Sequence, residues 1–193
     1  MSEPASIRPD LLERLFGLGD QAREEFRKVA KDRHHLFIPC DYQDAYEALQ
    51  GLTDRAHSFV ELGSGSGVVT ILADLLGLEA CGIEAEPWLV ERARQVAEEL
   101  GSGAVFAEGT FVPVEYEEEI VNLSDESLTP MIGADGFEEL GIELSEFDLV
   151  FAYPWPGDEE WLYELIRRYA RKDVLLLTYG NRDGFHVLEG TEL

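Results

Sequence analysis

The sequence contains 193 residues, of which 45% are hydrophobic, so it is long enough for one domain with a buried core and too apolar for wholesale disorder. Acidic residues outnumber basic residues 40 to 15, and the formal net charge of −25 argues against a nucleic-acid partner, since phosphate backbones are bound mainly by Lys and Arg. Two cysteines are too few for a disulfide framework and no apolar run approaches the ~20 residues that span a membrane, so we expect a cytoplasmic protein that does not bind membranes.

The first part of the chain, residues 1–54, is predicted to be a helical extension. Apolar residues recur at helical spacing over 9–32, and the Gly-Leu-Gly stretch at 17–19 predicts a break into two helices. Asp41 has a side chain suited to the N-cap of a further helix that runs to about Leu52.

Beyond the extension, strands alternate with helices. Apolar runs predict strands over 57–62, 80–84, 104–107, 147–152, 174–178 and 185–188, and helical spacing predicts helices over 68–76, 87–100 and around 162–169. This alternation indicates an α/β fold with a mostly parallel, Rossmann-like sheet. Turn residues at 181–184 predict that the last strand returns as an antiparallel edge, and because little chain follows it, we expect a shortened C-terminal end.

One segment, 112–146, interrupts the alternation. It contains an acidic run at 115–119 and a polar stretch at 122–129, and it is long for a bare connection. We predict a partly helical acidic insertion or lid between a cofactor-binding half (55–111) and an acceptor-side half (147–193) of one domain.

The richest motif is the glycine loop between the first strand and its helix. Gly63, Gly65 and Gly67 let the backbone turn sharply and approach a ligand, and the helix start presents unpaired N–H groups. A dinucleotide-binding loop would have glycine or alanine at position 68, where this chain has Val68.

Two acidic residues make the motif more specific. Glu61 precedes the first glycine, where it would repel a pyrophosphate and attract an ammonium group. Glu84 ends the second strand, where a carboxylate can accept bonds from both ribose hydroxyls. The alternative is structural: the glycines permit close packing, and Glu84 is a solvated strand end.

The segment Glu61–Gly67, which contains Glu61 and the three glycines, resembles the acidic-x-Gly-x-Gly-x-Gly signature of class I S-adenosylmethionine-dependent methyltransferases. The resemblance covers about residues 55–180, includes the strand end at 82–84, and implies this family's fold and S-adenosylmethionine as cofactor. It assigns the cofactor's methionine moiety to Gly63, Ser64, Gly65 and Gly67, its amino group to Glu61, its ribose to Glu84 and its adenine to Ala85 and to Glu108, Thr110 or nearby backbone groups.

The fourth strand runs into Tyr153-Pro-Trp-Pro156, which is similar to the Asp/Asn-Pro-Pro-aromatic motif of amino-group methyltransferases. Tyr153 replaces the polar residue and Trp155 separates the prolines, which argues against adenine or a glutamine amide as acceptor. We expect Tyr153, Pro154 and Trp155 at the acceptor site, where the aromatic pair would attract a cationic amine. The alternative is a rigid turn whose aromatic rings pack into the core.

The resemblance therefore implies methyl transfer to a nitrogen, or to an oxygen, of a small molecule or a protein side chain, so we expect a small-molecule or basic protein substrate. No metal-binding cluster is visible in the sequence, and we expect no metal. Two alternatives stay open: a non-catalytic S-adenosylmethionine-binding regulatory module and a nicotinamide-dependent oxidoreductase, against which Glu61 and Val68 argue. The acidic surface is explained either by solubility in a high-salt cytoplasm or by steering of a cationic partner, and composition does not choose between them.

Overall fold

The computed structural model describes residues 5–30, 37–116, 129, 133–180 and 184–193. Its strands are β1 (Ser58–Leu62), β2 (Glu79–Glu84), β3 (Val105–Glu108), β4 (Leu149–Ala152), β5 (Leu175–Gly180) and β6 (Gly184–Glu189). Its helices are α1 (Pro9–Val29), α2 (Tyr42–Gln50), α3 (Val68–Leu75), α4 (Pro87–Leu100), α5 (Gly136–Leu140) and α6 (Glu159–Tyr169), with a short 3₁₀ turn at Leu144–Glu146.

The strands form one sheet in the order β3-β2-β1-β4-β5-β6. All neighbouring pairs are parallel except β5 and β6, which are antiparallel. The predicted α/β class, mostly parallel sheet and antiparallel edge strand are thus confirmed. The chain moves outward from β1 to β3 and then returns to place β4 beside β1, so the strand order reverses between β1 and β4. Ligands of open α/β sheets bind at such a reversal, outside the carboxyl ends of the strands.

Alternate residues of the central strands supply the two faces of the sheet. Phe59 and Phe151 pack with α2, α3 and α4 on one face, whereas Val60 and Val150 pack with α6 on the other. All four side chains are at most 2% exposed. Burial on both faces explains why these strands are continuous apolar runs rather than alternating ones.

The predicted break at 17–19 is wrong, because α1 is continuous through these residues. Gly19 is buried against the start of α3, and a Cβ atom there would lie 2.6 Å from Cγ2 of Val68. The glycine therefore lets α1 pack closely on its neighbour, and this contact outweighs its low helix propensity. The Asp41 prediction is confirmed, since its carboxylate accepts hydrogen bonds from the backbone nitrogens of Gln43 and Asp44 at 2.9 and 3.0 Å.

The segment predicted as an insertion is described in part. Helix α5 and the 3₁₀ turn lie within it, and a parallel bridge joins Asp135 to Thr110 just beyond β3. Residues 117–128 and 130–132 lie outside the described residues, so the lid assignment stays a prediction. None of the described helices is long and apolar enough to cross a membrane.

Candidate functional site

A cavity of about 420 Å³ opens at the carboxyl ends of β1, β2 and β4, where the strand order reverses. Most of the residues predicted from sequence line it, namely Glu61, Gly63, Ser64, Gly65, Glu84, Ala85, Thr110, Tyr153, Pro154 and Trp155. Gly67 and Glu108 are not among the lining residues. The fold therefore brings both predicted halves of the site to one place.

The glycine loop is fixed by backbone contacts and by positive φ angles. The backbone nitrogens of Gly63 and Ser64 both donate to the carbonyl oxygen of Ile83 at 2.9 Å. Gly63, Gly65 and Gly67 have φ angles of 81°, 54° and 80°, a region that other residues enter only with strain. The sequence places glycine at each of these three positions because the turn requires it.

Gly67 has a packing role within this loop. It is the N-cap residue of α3, and a Cβ atom there would lie 2.6 Å from Cζ of Phe106 and 2.8 Å from Cβ of Ala93. Because Gly67 has no side chain, Phe106 and Ala93 pack directly against its backbone on the side away from the cavity lining.

Glu84 connects the end of β2 to the glycine loop. Its Oε2 accepts a hydrogen bond from the backbone nitrogen of Gly65 at 2.8 Å, and its Oε1 accepts one from that of Glu86 at 2.9 Å. Burial raises the pKa of Glu84, although these bonds favour the ionised form. An ionised carboxylate has about four lone-pair positions, so these backbone bonds leave capacity for a hydroxyl donor of a ligand.

Glu61 is buried beneath the loop and is tied to α3. Its Oε2 accepts hydrogen bonds from the backbone nitrogen of Thr70 at 2.9 Å and from the Thr70 hydroxyl at 2.5 Å. Burial raises the pKa of Glu61 to about 8. Thr70 belongs to no motif that the sequence offers, because its spacing from Glu61 is set by the turn between strand and helix.

Of the three residues predicted near adenine, Ala85 and Thr110 line the cavity and Glu108 does not. Thr110 is buried, and its backbone bonds to Ala134 and Gly136 hold it in place at 2.8 and 2.9 Å. Glu108 is exposed, and its backbone nitrogen donates to Oε2 of Glu139 at 3.0 Å. The assignment of Glu108 to adenine stays a prediction without support from this geometry.

Aromatic residues make up a large part of the cavity lining. They include Phe111, Tyr153, Trp155 and Trp161. The ring of Tyr153 lies edge-on to that of Tyr179 with centroids 5.0 Å apart, and the rings of Phe111 and Trp161 lie nearly parallel with centroids 6.4 Å apart. Sequence reasoning missed Phe111 and Trp161, although both lie within a few residues of motifs that it did identify.

A second wall of the cavity comes from the N-terminal extension and was also missed. Phe26, Phe37, Ile38, Pro39, Cys40 and Tyr42 line the cavity. Phe37 lies directly on the glycine loop, because a Cβ atom on Gly65 would come within 2.5 Å of its ring. No sequence motif marks this wall, since it arises from contact between segments that are distant along the chain.

The titratable side chains that carry charge in the cavity lining are acidic. Glu61, Glu84, Glu86 and Asp158 line the cavity, and none of the lining residues that the structure describes is Lys, Arg or His. Those of these side chains that are ionised would repel an anionic ligand and attract a cation, although Glu61 is largely protonated below its pKa of about 8. Within the described ranges, no group of three or more His, Cys, Asp or Glu residues is arranged to hold a metal ion.

Comparison of the sequence with known proteins finds no matching family model and no matching curated protein. Comparison of the structure finds an RNA methyltransferase from Salinibacter ruber in complex with S-adenosyl-L-homocysteine, with a TM-score of 0.52 and 23% identity over 73% of this chain and 76% of that one. An O-methyltransferase from Bacillus cereus, also with S-adenosyl-L-homocysteine, has a TM-score of 0.51 and 15% identity over 89% of this chain.

A putative O-methyltransferase from Klebsiella pneumoniae has a TM-score of 0.53 and 19% identity over 90% of this chain. The alignments cover 66% of the length of each O-methyltransferase. At these identities the likeness establishes the fold, so this chain has the class I methyltransferase fold that its sequence motifs predict.

Proposed function

We propose that this chain is an S-adenosylmethionine-dependent methyltransferase that acts on a nitrogen, or on an oxygen, of a small molecule or a protein side chain. One observation carries the proposal: the carboxylate of Glu84 meets the glycine loop at Gly65, at a cavity formed by the strand reversal of a methyltransferase fold. Two of the structurally similar methyltransferases hold S-adenosyl-L-homocysteine, the product of that cofactor.

The residues at the cofactor end fit this cofactor. Ser64 lines the cavity, and its hydroxyl oxygen is buried without a hydrogen-bond partner, so a ligand group that reached it would supply the partner it lacks. A Cβ atom on Gly63 would meet nothing within 4 Å, which leaves room beside the loop. Glu84 supplies a carboxylate for the ribose hydroxyls, and a bound ammonium group would favour the ionised form of Glu61 and pair with it.

The chain's own residues would bind and orient rather than act as acids or bases. S-adenosylmethionine, when bound, supplies a methyl group already activated by its positively charged sulfur. Glu61 would hold the ammonium group, Glu84 would fix the ribose, and the turn at 153–155 would place the acceptor. Positioning of this kind is sufficient to account for a large part of catalysis when no proton transfer limits the reaction.

A thermal-shift assay tests the cofactor assignment first. S-adenosyl-L-homocysteine is expected to raise the melting temperature and NAD is not, because a ligand that binds only the native state stabilises it. A shift with NAD and none with S-adenosyl-L-homocysteine would overturn the proposal. Release of S-adenosyl-L-homocysteine is then measured with amines, alcohols and basic proteins, and binding without turnover on any of them would favour the non-catalytic regulatory module.

A further inference from the structure

Thr70, in the first turn of α3, is bonded twice to one oxygen of the Glu61 carboxylate. Its backbone nitrogen donates to Oε2 of Glu61 at 2.9 Å, and its hydroxyl donates to the same oxygen at 2.5 Å. Thr70 is fully buried, so both bonds are shielded from water. Because a carboxylate oxygen has about two lone-pair positions, Thr70 occupies the bonding capacity of Oε2 and fixes the carboxylate from one side.

The other carboxylate oxygen of Glu61 is open. Oε1 accepts no hydrogen bond from the part of the chain that the structure describes, and it is not fully buried. Glu61 is only 5% exposed, and it lines the cavity, whereas Thr70 does not. The oxygen that Thr70 leaves unbonded is therefore the one that a ligand in the cavity can reach.

Helix capping accounts for only part of this arrangement. Gly67, the N-cap residue of α3, has no capping side chain, and the Glu61 carboxylate accepts from the Thr70 nitrogen in its place. A neutral side chain could cap the helix at lower cost, because burial of a carboxylate without a cationic partner is unfavourable. No described lining residue is Lys, Arg or His, so the partner that suits Oε1 is a cationic group of a ligand.

Without such a cation, burial favours the protonated form of Glu61 and raises its pKa to about 8. The two bonds from Thr70 lower this pKa, whereas the facing carboxylate of Glu84 on β2 raises it. Cys40 and Tyr42, at the start of α2, have raised pKa values of their own and stay neutral where Glu61 titrates. Strand β4, on the other side of β1, has no titratable side chain.

We propose that Thr70 positions Glu61 for the cofactor: it holds Oε2, favours the ionised carboxylate and leaves Oε1 to the cofactor's ammonium group, which displaces a proton from Glu61 as it binds. The displaced proton passes to the solvent, and the ammonium group keeps all of its own. The proposal rests on the methyltransferase function proposed above. It adds to that function a positioning residue and a dependence of cofactor affinity on pH.

Calorimetry on the wild-type protein tests the displacement of the proton. The probes are S-adenosyl-L-homocysteine and 5′-methylthioadenosine, which keeps the adenine, ribose and sulfur but lacks the ammonium group. From about pH 6 toward the pKa of about 8, the ratio of the first affinity to the second should rise by up to about tenfold per pH unit, since one proton is released. The ratio removes any titration of Glu84, whose ribose contact both probes share. A ratio that does not change with pH would overturn the proposal.

Thr70→Val removes the hydroxyl and keeps the backbone nitrogen. At about pH 7 it should lower affinity for S-adenosyl-L-homocysteine roughly tenfold and leave affinity for 5′-methylthioadenosine nearly unchanged, because a hydrogen bond to the ionised carboxylate is lost. Thr70→Ser restores a hydroxyl and should recover most of that affinity. Thr178→Val is the matched control, since Thr178 is a buried threonine of β5 outside the cavity lining, and it should change neither affinity.

The possible failures are distinguishable. Wild-type protein that binds neither probe would overturn the proposed function itself. Folded Thr70→Val that weakens both probes equally would show that Thr70 only packs, and unchanged affinities would show that its hydroxyl has no role, so either result rejects Thr70 as a positioning residue. If Thr70→Val does not fold, Thr70→Ala and the wild-type ratio decide in its place.

Discussion

The carboxylate oxygen Oε2 of Glu84 lies 2.8 Å from the backbone nitrogen of Gly65, so the end of β2 holds the middle of the loop that follows β1. The two residues are 19 positions apart in the sequence. This single bond links the two motifs on which the cofactor assignment depends. It also gives Glu84 two roles. Its carboxylate holds the glycine loop through Gly65, and the same carboxylate would accept hydrogen bonds from the ribose hydroxyls.

Replacement of Glu84 tests this link. Glu84→Gln should weaken binding of S-adenosyl-L-homocysteine by about 1.5–3 kcal/mol, since hydrogen bonds to the charged group are lost and the loop loses an acceptor. Calorimetry measures the affinity, and Glu79→Gln, at the exposed opposite end of β2, is the control that should bind normally. Unchanged affinity in a folded Glu84 variant would remove this residue from the site.

The raised pKa of Glu61 predicts how stability depends on pH. Because its pKa in the folded protein is about 8 and the ordinary value is 4.5, the folded state retains a proton that the unfolded chain loses between these values. The free energy of unfolding should therefore fall as pH rises through this window, by up to about 1.4 kcal/mol per pH unit from this group.

Denaturation of wild-type and Glu61→Gln proteins from about pH 5 to about pH 8 measures that contribution. The variant carries no titrating proton at this position, so the stability of the wild type relative to the variant should decline steadily across the range. Parallel pH profiles for the two proteins would mean that Glu61 does not titrate as its burial predicts.

Tyr153 tests whether the aromatic turn contacts the acceptor. Tyr153→Ala should reduce kcat with an acceptor amine while affinity for S-adenosyl-L-homocysteine stays nearly constant, because an interaction made mainly in the transition state lowers kcat. Tyr153→Phe keeps the ring contact with Tyr179 and should recover most of the activity if the ring matters more than the hydroxyl. A fall in both melting temperature and cofactor affinity in Tyr153→Ala would instead indicate a packing role.

The glycine loop offers a matched pair of substitutions. Gly63 and Gly67 have nearly equal φ angles of 81° and 80°, so alanine at either position carries a similar backbone strain. Only at Gly67 would the new Cβ also contact the core, 2.6 Å from Phe106. Urea denaturation should therefore show Gly67→Ala to be less stable than Gly63→Ala by about 1–3 kcal/mol, and equal stabilities would contradict the packing role of Gly67.

The sequence by itself determined the fold class and that the two motifs assigned to the cofactor lie close together. Continuous apolar runs alternating with helical patterns predict a parallel sheet, because only a sheet covered on both faces buries such runs. The carboxyl ends of parallel strands share one edge, so the glycines after β1 and Glu84 after β2 had to approach each other. These predictions succeed because they depend on local periodicity and on short connections.

The tertiary structure alone decided the features that depend on contacts between distant segments. The break expected at Gly19 is absent because close packing against Val68 outweighs local propensity, and Phe37 reaches Gly65 from an extension with no recognisable motif. Asp158 is an ordinary acidic residue in an acidic sequence, and only its burial at the lining of the cavity distinguishes it. Burial and cavity position are properties of how the whole chain packs, so neither residue type nor spacing along the chain encodes them locally.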